Sequence, residues 1–116
     1  MRESTYTTKL LAVLRTHPLL RDSAWIQKHN DRSSRGVPDF SVTVGMRTLW
    51  VECKMEGEKP TKIQQWTLNR IGDGAMTIWF GHGGCCYAWR AAKLTDWIPL
   101  DAMATVIAEL VTNATL

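Results

Sequence analysis

The sequence lacks the features that mark a membrane protein or a disulfide-stabilised secreted protein. No apolar run approaches the roughly 20 residues that a transmembrane helix requires. The first 14 residues mix acidic, hydroxyl and basic side chains before a short apolar stretch, which is not the pattern of a secretory signal. Only three cysteines are present, and Cys85 and Cys86 are adjacent, so a disulfide framework is not expected. We therefore expect no membrane partner and a reducing compartment, the cytoplasm.

Length and composition narrow the possibilities further. A chain of 116 residues is expected to form a single domain, residues 1–116. Its 45% apolar and 22% charged residues are typical of a globular protein and argue against disorder. The formal net charge of +3 permits a nucleic-acid partner without requiring one. A glycine-rich phosphate-binding loop and a Ser-His-Asp pattern are both missing, so we expect neither a nucleotide cofactor nor a histidine-based mechanism.

The spacing of apolar and turn-forming residues predicts a mixture of helices and strands. The predicted elements, in chain order, are a helix over 5–17, a strand over Ala24–Lys28, a polar loop over 29–36, strands over 38–44 and 47–54, a helix over Lys62–Ile71, strands over 76–80 and 85–90, and a helix opened by Pro99. This order predicts an α/β domain built around one sheet.

The central strand pair is predicted to form a hairpin that turns at Gly45-Met46, which suits a type II′ turn. That register places Asp39 directly opposite Glu52, with Cβ atoms about 4.5–5.5 Å apart. Strand alternation puts both carboxylates on the same face as Lys54. The opposite face is apolar and is expected to be buried in the core; it consists of Phe40, Val42, Val44, Leu49, Val51 and Cys53.

Two facing carboxylates beside a lysine suggest a particular chemistry. Carboxylates this close repel each other unless a cation or a proton lies between them. Mg²⁺ prefers oxygen ligands and retained waters, often completed by substrate phosphate. Lys54 would then hold an attacking water or the charge that develops on a phosphodiester. The pattern is thus typical of metal-assisted phosphodiester hydrolysis, and the alternative is a solvated cluster of ion pairs.

These residues also match a known pattern. The segment Gly36-Val37-Pro38-Asp39, followed by Glu52-Cys53-Lys54, resembles the Pro-Asp…(Asp/Glu)-x-Lys signature of the restriction-endonuclease-like nucleases. The helix start at residues 59–66 (KPTKIQQW) resembles that of the virus-type replication-repair nuclease family. The resemblance covers about residues 3–80, and it implies a central mixed β-sheet flanked by helices.

The resemblance also implies a site. Asp39, Glu52 and the main-chain carbonyl of Cys53 would hold Mg²⁺, for which Mn²⁺ would substitute. A glutamate on the first helix belongs to this family's site, and Glu3 is the acid available there. Lys54 would be catalytic, with Gln64 as its neighbour on the following helix.

Several of these residues have an alternative structural explanation. Thr61 and Gln64 form a capping-box pattern, in which the glutamine satisfies the helix N-terminus instead of the site. A set of basic residues around the predicted site would contact DNA phosphates or simply be solvated; the set is Lys28, Arg32, Arg35 and Lys62.

The tryptophans, six in all, are numerous for this length. Three of them fit core positions: Trp25, Trp66 and Trp79. Trp50 either packs under the first helix or stacks on a base. Core packing is the default expectation for Trp89 and Trp97, and a dimer interface is the alternative.

The resemblance implies a DNA endonuclease that acts as a homodimer on branched DNA, as Holliday junction resolvases do. A phage origin would place it in the cytoplasm of a bacterial host. Three alternatives remain open at this point. They are a nuclease without branch selectivity, a non-catalytic nucleic-acid-binding or assembly protein on the same scaffold, and a structural oligomeriser.

Overall fold

The protein is an α/β domain with one six-stranded mixed sheet and three helices. A computed structural model describes residues 2–29, 36–90 and 94–113. The elements, in chain order, are α1 (Glu3–Thr16), β1 (Ala24–Lys28), β2 (Phe40–Val44), β3 (Arg47–Met55), α2 (Lys62–Ile71), β4 (Ala75–Phe80), β5 (Cys86–Arg90), β6 (Leu94–Ile98) and α3 (Leu100–Thr112). The strands lie in chain order across the sheet. All neighbouring pairs are antiparallel except β3 and β4, which are parallel and connected through α2.

The predicted α/β class and the central mixed sheet flanked by helices are confirmed, and the arrangement is consistent with a restriction-endonuclease-like fold. One strand was not predicted. β6 is a five-residue strand that pairs with β5 through an irregular register, so its extended conformation depends on that pairing more than on local sequence. None of the described helices is both long and apolar enough to cross a bilayer.

The hydrophobic core lies between one face of the sheet and the helices α1 and α3. The sheet contributes fully buried residues such as Phe40 and Val51, while α1 contributes Leu10 and α3 contributes Ile107. α2 covers part of the opposite face, where its one buried residue, Leu68, lies against β4. The sheet therefore has one face closed by two helices and one face closed only in part.

The hairpin register is confirmed. Val44 pairs with Arg47, and Phe40 pairs with Val51, as a turn at Gly45-Met46 requires. Gly45 has a φ of 60°, which side chains rarely adopt and which a primed turn needs. The predicted core face of the hairpin is buried or packed against the core along its whole length.

The expectation that Trp25 and Trp66 are core residues is wrong. Trp25 is 66% exposed and Trp66 is 64% exposed. Trp25 lies on edge strand β1 and points to the face opposite α1, because its neighbours Ala24 and Ile26 pack against the core. Trp66 lies on the outer side of α2, where the guanidinium of Arg70 lies 5.6 Å from its ring centroid.

Arg47, the first residue of β3, connects the hairpin to the C-terminal end of α3 through hydrogen bonds. Its guanidinium donates hydrogen bonds to the carbonyl oxygens of Leu110, at 3.1 Å, and Asn113, at 2.5 Å. Carbonyl groups in the last turn of a helix need partners from outside it, and a cation at a helix C-terminus is favourable.

Replacing Arg47 by alanine should therefore lower the free energy of unfolding by about 1–2 kcal/mol, as measured by urea denaturation. Arg15→Ala is the matched control, because Arg15 is an exposed arginine in the last turn of α1. We expect the control to change stability by less than about 0.5 kcal/mol. Equal effects for the two variants would show that the Arg47 bonds contribute nothing specific.

Candidate active site

The candidate site lies at the N-terminal end of β2, beside the part of β3 that extends past the β2–β3 pairing. Asp39 immediately precedes β2, and Glu52 and Lys54 lie in β3. Since the register pairs each residue of β2 with one of β3, its continuation places Asp39 opposite Glu52, as predicted. Asp39 Oδ2 accepts a hydrogen bond of 2.7 Å from the backbone N–H of Cys53, which fixes the carboxylate over β3.

Glu52 is the unusual residue of the site, since it is a carboxyl group only 2% exposed. Burial, together with a hydrogen bond to the Asp39 side chain, raises the pKa of Glu52 to about 9. The two facing carboxyl groups therefore bind a proton at neutral pH. Glu52 Oε2 is buried and has no hydrogen-bond partner among the described residues, and such an atom calls for an explanation.

Glu3 lies in the first turn of α1, and its pKa responds to charges of the candidate site. Burial raises the pKa of Glu3, and the negative charge of Asp39 raises it further. The positive charges of Lys54 and Lys28 lower the pKa of Glu3. Because these charges act on Glu3, the N-terminus of α1 lies within electrostatic range of the carboxylate pair. The structure thus places Glu3 in the electrostatic environment of Asp39 and Glu52, but the described residues show no three acids at metal-binding spacing.

Lys54 supplies the positive charge of the site. It lies on β3 on the same face as Glu52, and its charge lowers the pKa of both Glu52 and Glu3. The residue is half-buried. The predicted juxtaposition of two facing carboxyl groups and a lysine is therefore present.

Cys53 contributes its backbone. Its thiol lies in the core, and burial raises the pKa of Cys53 well above its ordinary value, so the thiol stays neutral. In an extended strand the N–H and C=O of one residue point to the same side. Because the Cys53 N–H points to Asp39, the Cys53 carbonyl faces the same side, as the predicted ligand role requires.

Gln64 occupies the capping position. The Thr61 N–H donates to Gln64 Oε1 at 2.8 Å, and the Gln64 N–H donates to Thr61 Oγ1 at 3.2 Å. The capping box is thus formed, which accounts for the side-chain oxygen of Gln64 and leaves its Nε2 outside the cap. A part in catalysis remains a prediction for this residue.

The structure describes two of the four predicted DNA-contacting basic residues, Lys28 and Lys62. Lys28 ends β1, is exposed, and has a charge that acts on Glu3. Lys62 is exposed in the first turn of α2. Arg32 and Arg35 lie outside the described residues.

Sequence reasoning missed the contacts of His29. Its Nε2 lies 2.9 Å from Ser41 Oγ, and its ring stacks on Trp50 with centroids 5.1 Å apart. The His29 N–H also donates to the Asp39 carbonyl at 2.8 Å. Trp50 therefore packs against His29, not under the first helix, and both support the backbone at Asp39. The β1–β2 pairing, which juxtaposes these residues, was the missing information.

Gly36 anchors the segment that leads to Asp39 against α2. It has a φ of 82°, and an added Cβ would collide with the Ile63 side chain and lie 3.1 Å from the Ile63 carbonyl oxygen. A side chain at this position would displace either the helix or the segment.

Gly36→Ala should therefore lower the free energy of unfolding by about 2 kcal/mol or more, combining left-handed strain with overpacking. Gly57→Ala is the matched control, since Gly57 has a φ of 87° but open space around it. Urea unfolding of both variants separates the collision from the strain. If the two variants lose equal stability, the packing of Gly36 on α2 is immaterial.

The donor set fits Mg²⁺. Within the ranges 2–29, 36–90 and 94–113, no group of three His, Cys, Asp or Glu side chains already has metal-binding spacing. The carboxyl groups of Asp39 and Glu52 and the nearby Cys53 carbonyl are nevertheless hard oxygen donors, and Glu52 Oε2 has no hydrogen-bond partner among the described residues. Mg²⁺ takes few protein ligands and keeps several waters, so this set would suffice.

Comparison with protein-family models gives no match, and searches of curated proteins and of solved structures give none either. The nuclease resemblance therefore remains a prediction. It depends on the residues and the geometry described above.

Proposed function

We propose that this protein is a Mg²⁺-dependent nuclease that hydrolyses phosphodiester bonds in DNA. The observation that carries the proposal is the carboxyl pair of Asp39 and Glu52, in which Glu52 is buried, its Oε2 has no hydrogen-bond partner among the described residues, and the charge of Lys54 acts on it. Burying a carboxyl group costs stability, and acids with strongly perturbed pKa values are found mainly at functional sites. A structural ion-pair cluster does not need a buried acid whose second oxygen lacks a hydrogen-bond partner among the described residues.

Each residue has a defined part in this proposal. Asp39, held by the Cys53 N–H, and Glu52 would hold Mg²⁺, with the Cys53 carbonyl and Glu3 as further oxygen donors. When bound, Mg²⁺ polarises the phosphate and lowers the pKa of a water ligand. Lys54 orients the attacking water or stabilises the negative charge that develops on the phosphate.

The proton on the carboxyl pair is part of the proposal. Since burial raises the pKa of Glu52 to about 9, we expect the carboxyl pair to bind a proton at neutral pH when no metal is bound. A cation would compete with that proton, because metal ligands must be deprotonated. Mn²⁺, which takes similar ligands, would substitute for Mg²⁺.

Two observations favour a second candidate, a DNA-binding protein that does not cleave. Gln64 Oε1 is engaged in the helix cap, and the carboxyl pair is neutralised by a proton without any metal. Such a protein would bind phosphates through Lys28 and Lys62 and would be indifferent to EDTA.

Cleavage of a labelled four-way DNA junction, beside a linear duplex of matched sequence, distinguishes these functions. We expect Mg²⁺-dependent cutting that Asp39→Ala abolishes and that Asp73→Ala, a substitution of an exposed acid in the turn before β4, leaves intact. Preferential cutting of the junction would support a resolvase. Equal cutting of both would indicate a nuclease without branch selectivity, and binding without cutting, unaffected by EDTA, would favour the second candidate.

A homodimer in the cytoplasm is the form that we propose for this enzyme. Three free cysteines suit a reducing compartment. Two active sites, one from each copy, would cut two strands of a junction. Light scattering across a range of concentrations should give the mass of a dimer, and a strict monomer would contradict this part of the proposal.

A further inference from the structure

A groove on the partly covered face of the sheet adjoins the candidate site. It lies between α2 and the strands β4 and β5 and has a volume of about 310 Å³. Thr77 and Trp79 of β4 form part of its lining, together with Leu68 of α2. Trp89 of β5 and Lys59, which precedes α2, also line it. Trp89 is 51% exposed, which is unusual for so large an apolar side chain.

Two contacts fix the position of the Trp79 side chain, which lines the groove. Trp79 Nε1 donates a 2.8 Å hydrogen bond to the Glu58 carbonyl oxygen. Its ring stacks on Tyr87, with centroids 5.0 Å apart and planes 10° from parallel. Trp97 meets Tyr87 edge-on at 4.8 Å, so the aromatic row extends onto β6. A ligand that enters the groove therefore meets a Trp79 side chain whose position is already fixed.

Two residues that line the groove are the strand neighbours of candidate site residues. In the parallel β3–β4 register, Glu52 pairs with Thr77 and Lys54 pairs with Trp79. Paired residues of neighbouring strands point to the same face and lie about 5 Å apart. A phosphate at Lys54 would thus have its adjoining nucleotide within reach of Trp79.

We propose that this groove binds an unpaired nucleobase of the DNA strand next to the scissile phosphate. The inference rests on the proposed nuclease function and specifies its substrate as DNA with locally single-stranded character. Bases stack on tryptophan without sequence preference, and Lys59 at the groove supplies charge for the backbone. A base inside a duplex is already stacked on its neighbours and does not enter such a groove.

Binding of a fluorescein-labelled twelve-nucleotide oligo-dT, measured by anisotropy in EDTA, tests the inference without requiring cleavage. Trp89→Ala should weaken this binding by about 5- to 100-fold, which is the effect expected for loss of one stacked base. Trp25→Ala is the matched control, because Trp25 is more exposed but lies on β1 at the other edge of the sheet. The control should change binding less than about twofold, and Trp89→Phe should retain most of the affinity.

Two further measurements separate stacking from charge and from a structural effect. Wild-type protein should bind an abasic oligomer of equal length as weakly as Trp89→Ala binds oligo-dT. The matched duplex should bind both proteins alike, and thermal unfolding must show Trp89→Ala folded.

Three outcomes would overturn the inference. They are unchanged oligo-dT binding by Trp89→Ala, equal losses for single strand and duplex, and conversion of a dimer to a monomer with DNA affinity unchanged. The last outcome would assign the groove to a second copy of the chain. The binding assay needs no metal. Binding that depends on Trp89, in a protein that shows no cleavage, would therefore refute the proposed nuclease function and support the proposed nucleobase groove. Cleavage that is unaffected by Trp89→Ala would support the nuclease function and refute the nucleobase groove.

Discussion

Lys54→Ala should reduce Mg²⁺-dependent DNA cleavage by about 100- to 1,000-fold while leaving metal binding close to that of the wild type. The charge of the ammonium group lowers the pKa of both Glu52 and Glu3, but a lysine ammonium is not itself a metal ligand. Removing one preorganised cationic donor from a site where negative charge develops costs about this much in rate. Single-turnover cleavage of the labelled junction measures the effect.

Lys9→Ala is the matched control, because Lys9 is an exposed lysine of α1 that lines a different groove, beside Pro99. Its cleavage rate should stay within about twofold of the wild type. Lys54→Arg should recover part of the lost rate, since it restores a cation with a different shape. A Lys54→Ala protein that cuts within fivefold of the wild type would refute the catalytic role of this lysine.

Glu52→Gln should abolish cleavage and, at the same time, stabilise the metal-free protein. Glutamine keeps the shape and a hydrogen bond to Asp39 but has no charge to lose. At pH 7 the buried glutamic acid binds a proton that the unfolded chain would release, and this difference opposes folding. We expect stabilisation of about 1–3 kcal/mol in EDTA and a cleavage rate lower by about 100-fold or more.

The pH dependence of stability gives the sign of this effect. The pKa of Glu52 is raised in the folded protein, so its stability contribution is complete below the unfolded value of 4.5 and is lost as pH rises towards 9. Urea unfolding in EDTA at pH 5, 7 and 9 should therefore show the advantage of Glu52→Gln growing with pH. Glu109→Gln, on the exposed face of α3, should show no such trend. A Glu52→Gln protein less stable than the wild type at pH 9 would contradict the buried pair.

Most of the candidate site follows from local sequence because it is built on a hairpin. A two-residue turn at Gly45-Met46 determines every facing pair, and the apolar alternation determines which face is buried. Those two facts place Asp39 against Glu52 without knowledge of the rest of the fold. Glu3 required more, since it reaches the site only because α1 packs on the core face.

The features that escaped prediction depend on pairing between distant segments. The stacking of His29 on Trp50 requires the β1–β2 register, which no short turn specifies. The groove requires Trp79 and Trp89 to lie on the same face of neighbouring strands, beside a helix that covers only part of that face. Spacing in one segment cannot indicate how much of a sheet its helices will cover, so Trp25 and other exposed tryptophans were assigned to the core.

The most direct test is an isothermal titration of the wild-type protein with Mg²⁺ at pH 7.5 in two buffers of different ionisation enthalpy. The central claim is that the carboxyl pair exchanges its proton for a metal ion. We predict binding with release of about one proton per ion, and we predict that both disappear in Asp39→Ala. Failure to bind Mg²⁺ at millimolar concentration would contradict the claim. So would binding that releases no proton and survives in Asp39→Ala.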